Sequence, residues 1–105
     1  MKLTTDKSFK DDIANAKVPV LVYFGASWCG PCKMLGPIME SIGTEMGNSA
    51  LVLKVDVDAN PELSAEYGIT TVPTVLAFDG STEECERVIG LNSKETYVDI
   101  INELS

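Results

Sequence analysis

The chain contains no histidine, only three cysteines, and only eight lysines and arginines against sixteen aspartates and glutamates, a formal net charge of −8 over 105 residues. Each shortage removes a class of function. Without histidine the commonest metal ligand and general base is missing. Three cysteines also fall short of the roughly four ligands a zinc site needs, unless the chain dimerises or recruits carboxylates. With so few basic residues, neither nucleic acid nor an anionic membrane surface meets the positive patch it requires, so the expected partners are neutral or basic proteins. No apolar run approaches the roughly 20 residues that span a bilayer. The start, Met1-Lys2-Leu3-Thr4-Thr5-Asp6-Lys7, has neither the apolar stretch of a signal peptide nor the Arg-rich, acid-poor character of a transit peptide. These features suggest a soluble protein of the cytoplasm, although a mature protein of the mitochondrial matrix or another reducing organelle would read the same way. Few and odd-numbered cysteines are unlike a secreted disulfide scaffold and fit a reducing compartment.

What is present points to one domain over residues 1–105, since 105 residues at 45% hydrophobic content suffice for one core and not for two. Strand-like and helix-like segments alternate with short connections, an α/β signature. Lys2 to Thr4 suggests a short edge strand, and Asp6 to Ala16 a helix with Phe9, Ile13 and Ala16 on one face. Val18-Pro19-Val20-Leu21-Val22-Tyr23-Phe24 reads as a buried strand, Lys33 to Met46 as a helix, and Leu51 to Val57 as a second central strand. Asn60-Pro61 opens a short helix that Gly68 closes. Thr74 to Phe78 and Cys85 to Ile89 form a hairpin with a loop longer than two residues, and Ser93 to Leu104 is an amphipathic helix capped by Asn92 or Ser93.

The densest chemistry lies in Trp28-Cys29-Gly30-Pro31-Cys32. Two cysteines three positions apart can join within one helical turn, and a pair that follows a strand and opens a helix sits where free backbone N–H groups and the helix dipole favour negative charge. The first sulfur is therefore expected to ionise more easily than an ordinary thiol. Alone, a Cys-x-x-Cys is shared with zinc ribbons and haem attachment sites, and two inert cysteines in a core remain the bland alternative.

Together with Lys54-Val55-Asp56-Val57-Asp58, Tyr67-Gly68-Ile69, Val72-Pro73-Thr74 and Ile89-Gly90, the cysteine motif resembles the thioredoxin family over nearly the whole chain. That resemblance implies an α/β thioredoxin fold, a central mixed five-stranded sheet flanked by four helices. It implies a protein-disulfide reductase in which Cys29 attacks a partner disulfide and Cys32 resolves the mixed disulfide from a less exposed position, with Gly30 and Pro31 tuning the pair. It further implies no bound cofactor, reducing equivalents from NADPH through a thioredoxin reductase, disulfide-containing target proteins as partners, and a monomer. Other readings are a disulfide isomerase or oxidase of the same fold and a non-catalytic scaffold.

By the same resemblance Val72-Pro73 is a cis bond packed against the cysteines, whereas sequence alone favours trans. Trp28, Val72, Pro73, Gly90 and Leu91, with Pro31, would form an apolar platform for partner polypeptides. Gly90 either admits a substrate backbone or simply ends a strand in a turn. Asp58 is placed to accept a hydrogen bond from the Trp28 indole, or else to cap the Asn60 helix.

Two positions depart from the family. Tyr23 stands where thioredoxins commonly bury an Asp that helps deprotonate the resolving cysteine, and a phenol with an ordinary pKa near 10 is no base at neutral pH. Tyr23 is expected to fill the core with its hydroxyl satisfied by Lys54, the alternative being a water bridge to the site. Lys54, the family's partner for the missing acid, is expected to snorkel or to find Asp56 or Asp58. Gly25 replaces a frequent Trp and should line the site less tightly. Cys85 lies outside every motif: a small buried hydrophobe is the commoner reading, an exposed regulatory thiol the other.

Overall fold

The computed structural model describes residues 1–105. Five strands, β1 (Lys2–Leu3), β2 (Val20–Gly25), β3 (Leu51–Asp56), β4 (Thr74–Phe78) and β5 (Glu86–Ile89), form one mixed sheet in the order β1-β3-β2-β4-β5. The first three in that order run parallel, and β4 and β5 are each antiparallel to their neighbour. Helices α1 (Phe9–Asn15), α2 (Gly30–Met46), α3 (Pro61–Glu66) and α4 (Lys94–Leu104) complete the chain, with a short 3₁₀ turn at Gly47–Ser49.

Every residue of β2 is buried, as its unbroken apolar run requires of a strand covered on both faces. Alternation sorts its side chains into two cores. Leu21 and Tyr23 face a cluster with Cys29, Cys32, Leu35, Met39, Ile42, Tyr97 and Ile101, drawn from α2 and α4. Val20, Val22 and Phe24 face Phe9, Ile13, Leu53, Leu63 and Phe78, the side of α1 and α3. The cysteines thus sit at the edge of a packed layer rather than on a free loop.

Several element ends differ from the sequence reading, and polar side chains explain the larger shifts. Helix α1 begins at Phe9, not Asp6, because Asp6 is engaged elsewhere. Its N–H donates to Asn60 Oδ1 at 3.0 Å, and its carboxylate accepts from the Leu63 N–H at 2.9 Å. Asp6 therefore caps α3 across 57 residues of chain. The expected cap, Asn60, makes no side-chain cap bond; buried, it donates to the Asp56 carbonyl instead. Gly68 does close that helix, at φ +61°, a conformation suited to glycine. Helix α2 starts at Gly30 rather than Lys33, since Cys29 is its N-cap and Pro31 suits a first turn. Strand β1 stops at Leu3, β5 starts after Cys85, and Ser93 precedes α4 without a side-chain cap bond.

Candidate functional site

Strand β2 delivers the chain to the end of the sheet, and residues 26–29 turn it into α2. Cys29 has an extended backbone, and its Sγ accepts a hydrogen bond from the Cys32 N–H at 3.2 Å. This is a helix N-cap with sulfur in the place of an oxygen, so the first-turn N–H groups and the helix dipole stabilise charge on that sulfur. Cys29 and Cys32 are joined as a disulfide, with Cα atoms 5.3 Å apart. The difference in exposure expected between them is absent, as each cysteine is 4% exposed. Gly30 and Pro31, between them, are exposed.

A second segment closes over the sulfurs. The Val72–Pro73 bond is cis, as the resemblance implied, and the Val72 carbonyl oxygen lies 3.6 Å from Cys29 Sγ. Pro73 is buried and Val72 half-buried. The Pro73 carbonyl accepts from the Gly90 N–H at 2.8 Å, which ties the end of β5 to this loop. Gly90 has φ +85°, so the turn itself demands glycine. A Cβ there would meet nothing within 4 Å, so no group of the protein itself crowds this position. Leu91 follows, exposed.

Trp28 is 68% exposed, and its indole Nε1 donates to Asp58 Oδ2 at 2.8 Å. The expected contact is present, and Asp58 does not cap α3. Trp28 and Val72 form walls of a groove of about 330 Å³ completed by Val57, Ile69, Thr70 and Thr71. The sequence reading assigned none of these last four to the site. It also missed two exposed apolar side chains, Met34 and Ile89; Met34 stands three residues after Pro31 on α2 and Ile89 next to Gly90, spacing that could have flagged both.

Beneath the disulfide, Tyr23 corrects one expectation. Its hydroxyl is not satisfied by Lys54; it donates to the Cys32 carbonyl at 3.0 Å. Burial raises its pKa further above 10, so at neutral pH it is a fixed donor and never a base. Lys54 instead places its ammonium 5.8 Å from the centre of the Tyr23 ring, within cation–π range. It pairs with neither Asp56 nor Asp58; Asp56 accepts from the Asp58 N–H, and Asp58 holds Trp28. The two departures from the family are also linked. A Cβ on Gly25 would fall 2.7 Å from the Tyr23 hydroxyl, so the phenol occupies the space a side chain at 25 would need. Residues two apart on one strand share a face, the signal that could have revealed this.

Cys85 is exposed, against the commoner reading of a buried hydrophobe, because it precedes β5 and only its backbone N–H is held, by the Ala77 carbonyl at 2.7 Å. Nowhere do three or more Cys, Asp or Glu side chains converge as metal ligands.

A sequence model of thioredoxin matches residues 1–103. The chain belongs to the thioredoxin family. Thioredoxin of Rickettsia felis is 45% identical over 98 residues, 93% of this chain and 92% of that one, and thioredoxin of Porphyra purpurea is 44% identical over 98 residues, 93% and 91% of the two chains. A bifunctional thioredoxin reductase/thioredoxin of Mycobacterium leprae is 43% identical over 90 residues, covering 86% of this chain and 19% of that protein. The mixed five-stranded sheet with four helices is the thioredoxin fold. With its close cysteine pair, this member of the family is a thiol-disulfide oxidoreductase, a protein-disulfide reductase working by dithiol/disulfide exchange. Thioredoxins carry no cofactor of their own, and the family works with a reductase and with disulfide-bonded targets.

Proposed function

We propose that Cys29 is the attacking and Cys32 the resolving sulfur of this reductase. The observation that carries the assignment is the Cys32 N–H donating into Cys29 Sγ at the first turn of α2. The Cys29 thiolate attacks one sulfur of a target disulfide, forming a mixed disulfide and expelling the other target sulfur as a thiolate. Cys32, losing its proton, then attacks Cys29 Sγ; the Cys29–Cys32 bond forms, the bond to the target breaks, and the second target sulfur leaves as a thiolate that solvent protonates. Two electrons pass from the cysteine pair to the target. Trp28, Pro31, Val72, Gly90 and Leu91 serve as the platform on which the target chain lies, while the buried Pro73 fixes the Val72 backbone beside the reacting sulfur. Gly30 and Pro31 set the helix start that stabilises the thiolate. A thioredoxin reductase drawing on NADPH restores the dithiol. The chain acts as a monomer in a reducing compartment, the cytoplasm being the simplest.

Cys32→Ser, incubated with a disulfide-bonded protein of known mass, should accumulate a stable mixed disulfide that peptide mass spectrometry places on Cys29. Cys29→Ser should form none. A mixed disulfide on Cys32, or none in either variant, would contradict the assignment.

A further inference from the structure

The resolving sulfur lacks the help the attacking one has. No N–H or O–H donates to Cys32 Sγ, whereas the Cys32 N–H serves Cys29. The Tyr23 hydroxyl is already donated to the Cys32 carbonyl. Burial disfavours a thiolate there, so something must offset the charge that Cys32 acquires. A cavity of about 200 Å³, large enough to admit water, lies against Cys32, which lines it with Tyr23, Ala26, Ser27, Lys33, Gly36 and Lys54. Two ammonium groups border this cavity. Lys33, on α2, is exposed. Lys54 is half-buried on β3, paired in register with Tyr23, and its ammonium is laid over that ring at 5.8 Å. No carboxylate lines this cavity; Asp56 borders an adjoining one of about 320 Å³ that Lys54 also lines.

We infer that Lys54 is a positioning residue for the resolving step, its held ammonium stabilising the developing thiolate of Cys32 in the place of a carboxylate base. This rests on the assignment of Cys32 as the resolving sulfur. The Cys32 proton passes to cavity water and on to solvent. The thiolate forms its bond to Cys29 as the Cys29–target bond breaks, and the departing target thiolate takes a proton from solvent. Electrons move as in the exchange described above. The charge on Lys54 does not change.

The test is stopped-flow reaction of the reduced protein with excess dipyridyl disulfide, a neutral aromatic disulfide that releases one coloured thione at each step. The fast phase reports attack by Cys29 and the second phase resolution by Cys32. Lys54→Gln should slow the second phase about fivefold to tenfold at pH 7 and move the midpoint of its pH profile up by about one pH unit, leaving the first phase unchanged. Lys54→Arg should restore both, and Lys33→Gln should alter neither. Lys54→Met, which keeps an apolar stem over the Tyr23 ring, should behave as Lys54→Gln and separates charge from packing. A second phase in Lys54→Gln and Lys54→Met that superimposes on the parent, or an equal slowing in Lys33→Gln, would overturn the inference. A parent without the fast phase would overturn the Cys29 assignment and the role of Lys54 with it.

Discussion

Tyr23 carries most of what distinguishes this site. Its hydroxyl donates to a carbonyl of the first turn of α2, so it holds the helix carrying Cys32 rather than moving a proton. Tyr23→Phe should cost about 1 kcal/mol of unfolding free energy, the net worth of one hydrogen bond, while leaving the pH profile of resolution in place. A collapse of that profile would mean the phenol takes part in the chemistry. Gly25→Ala should destabilise by about 1 to 3 kcal/mol, since the buried Tyr23 ring cannot yield to the new Cβ. Combining it with Tyr23→Phe should recover part of the loss, a coupling that denaturant titration of both singles and the double would read. Asp58→Ala should free the indole of Trp28, the chain's one tryptophan, seen as a fall in its fluorescence anisotropy. The sequence showed that Tyr23 was no base, because pKa follows from residue type. It did not show which atom the hydroxyl would find, because strand alternation names a face and not a hydrogen-bond partner.

Among the elements, those with strong periodicity or apolar runs were legible: β2, β3, the β4–β5 hairpin, α2 and α4 all stand where the pattern puts them. Their ends were less so, for one recurring reason. Capping is a contest among polar side chains that are distant in sequence, and Asp6 prevails over Asn60 at the start of α3. Nothing local reports that competition. Asp6→Ala should therefore destabilise the protein by about 1 kcal/mol, in the usual range for a lost cap, and hydrogen exchange should speed up in α3 before α1. Asn60→Ala should not expose the same amides. The cysteine motif was the reverse case, since Cys29 caps its own helix with its own sulfur and the signal is wholly local. The groove wall at Ile69, Thr70 and Thr71 was not legible because its irregular backbone carries no periodicity. The usual burial of a free cysteine fails for Cys85, which stands one residue before β5, a strand with no fully buried residue.

For the whole molecule, charge sets the limits of stability. The Glu84 carboxyl is held below its ordinary 4.5 by hydrogen bonds from Arg87, which outweigh burial. For Asp12 burial acts to raise the pKa, but hydrogen bonds from Lys2 and Thr4 bring it below 3.8. Groups lowered in the folded state contribute stability that is present above the unfolded values and lost as pH falls through the folded ones. Stability should hold down to about pH 4.5 and decline below it, and Glu84→Gln should flatten that decline. At the other end burial raises the phenols of Tyr23 and Tyr97, and raises Tyr67 to about 12 with help from Glu66 and Glu84. Unfolded tyrosines ionise first, so stability should fall as pH rises above 10. Thermal melts across this range would check both edges. The Cys29–Cys32 pair supplies the thiol chemistry, and the family supplies its direction. That direction is tested most directly by the reduction potential of the Cys29–Cys32 disulfide, measured by equilibration with a thiol–disulfide buffer. The account predicts a value of about −270 mV, the established reference for thioredoxin itself, whereas a value of about −180 mV, that of a disulfide isomerase, would contradict it.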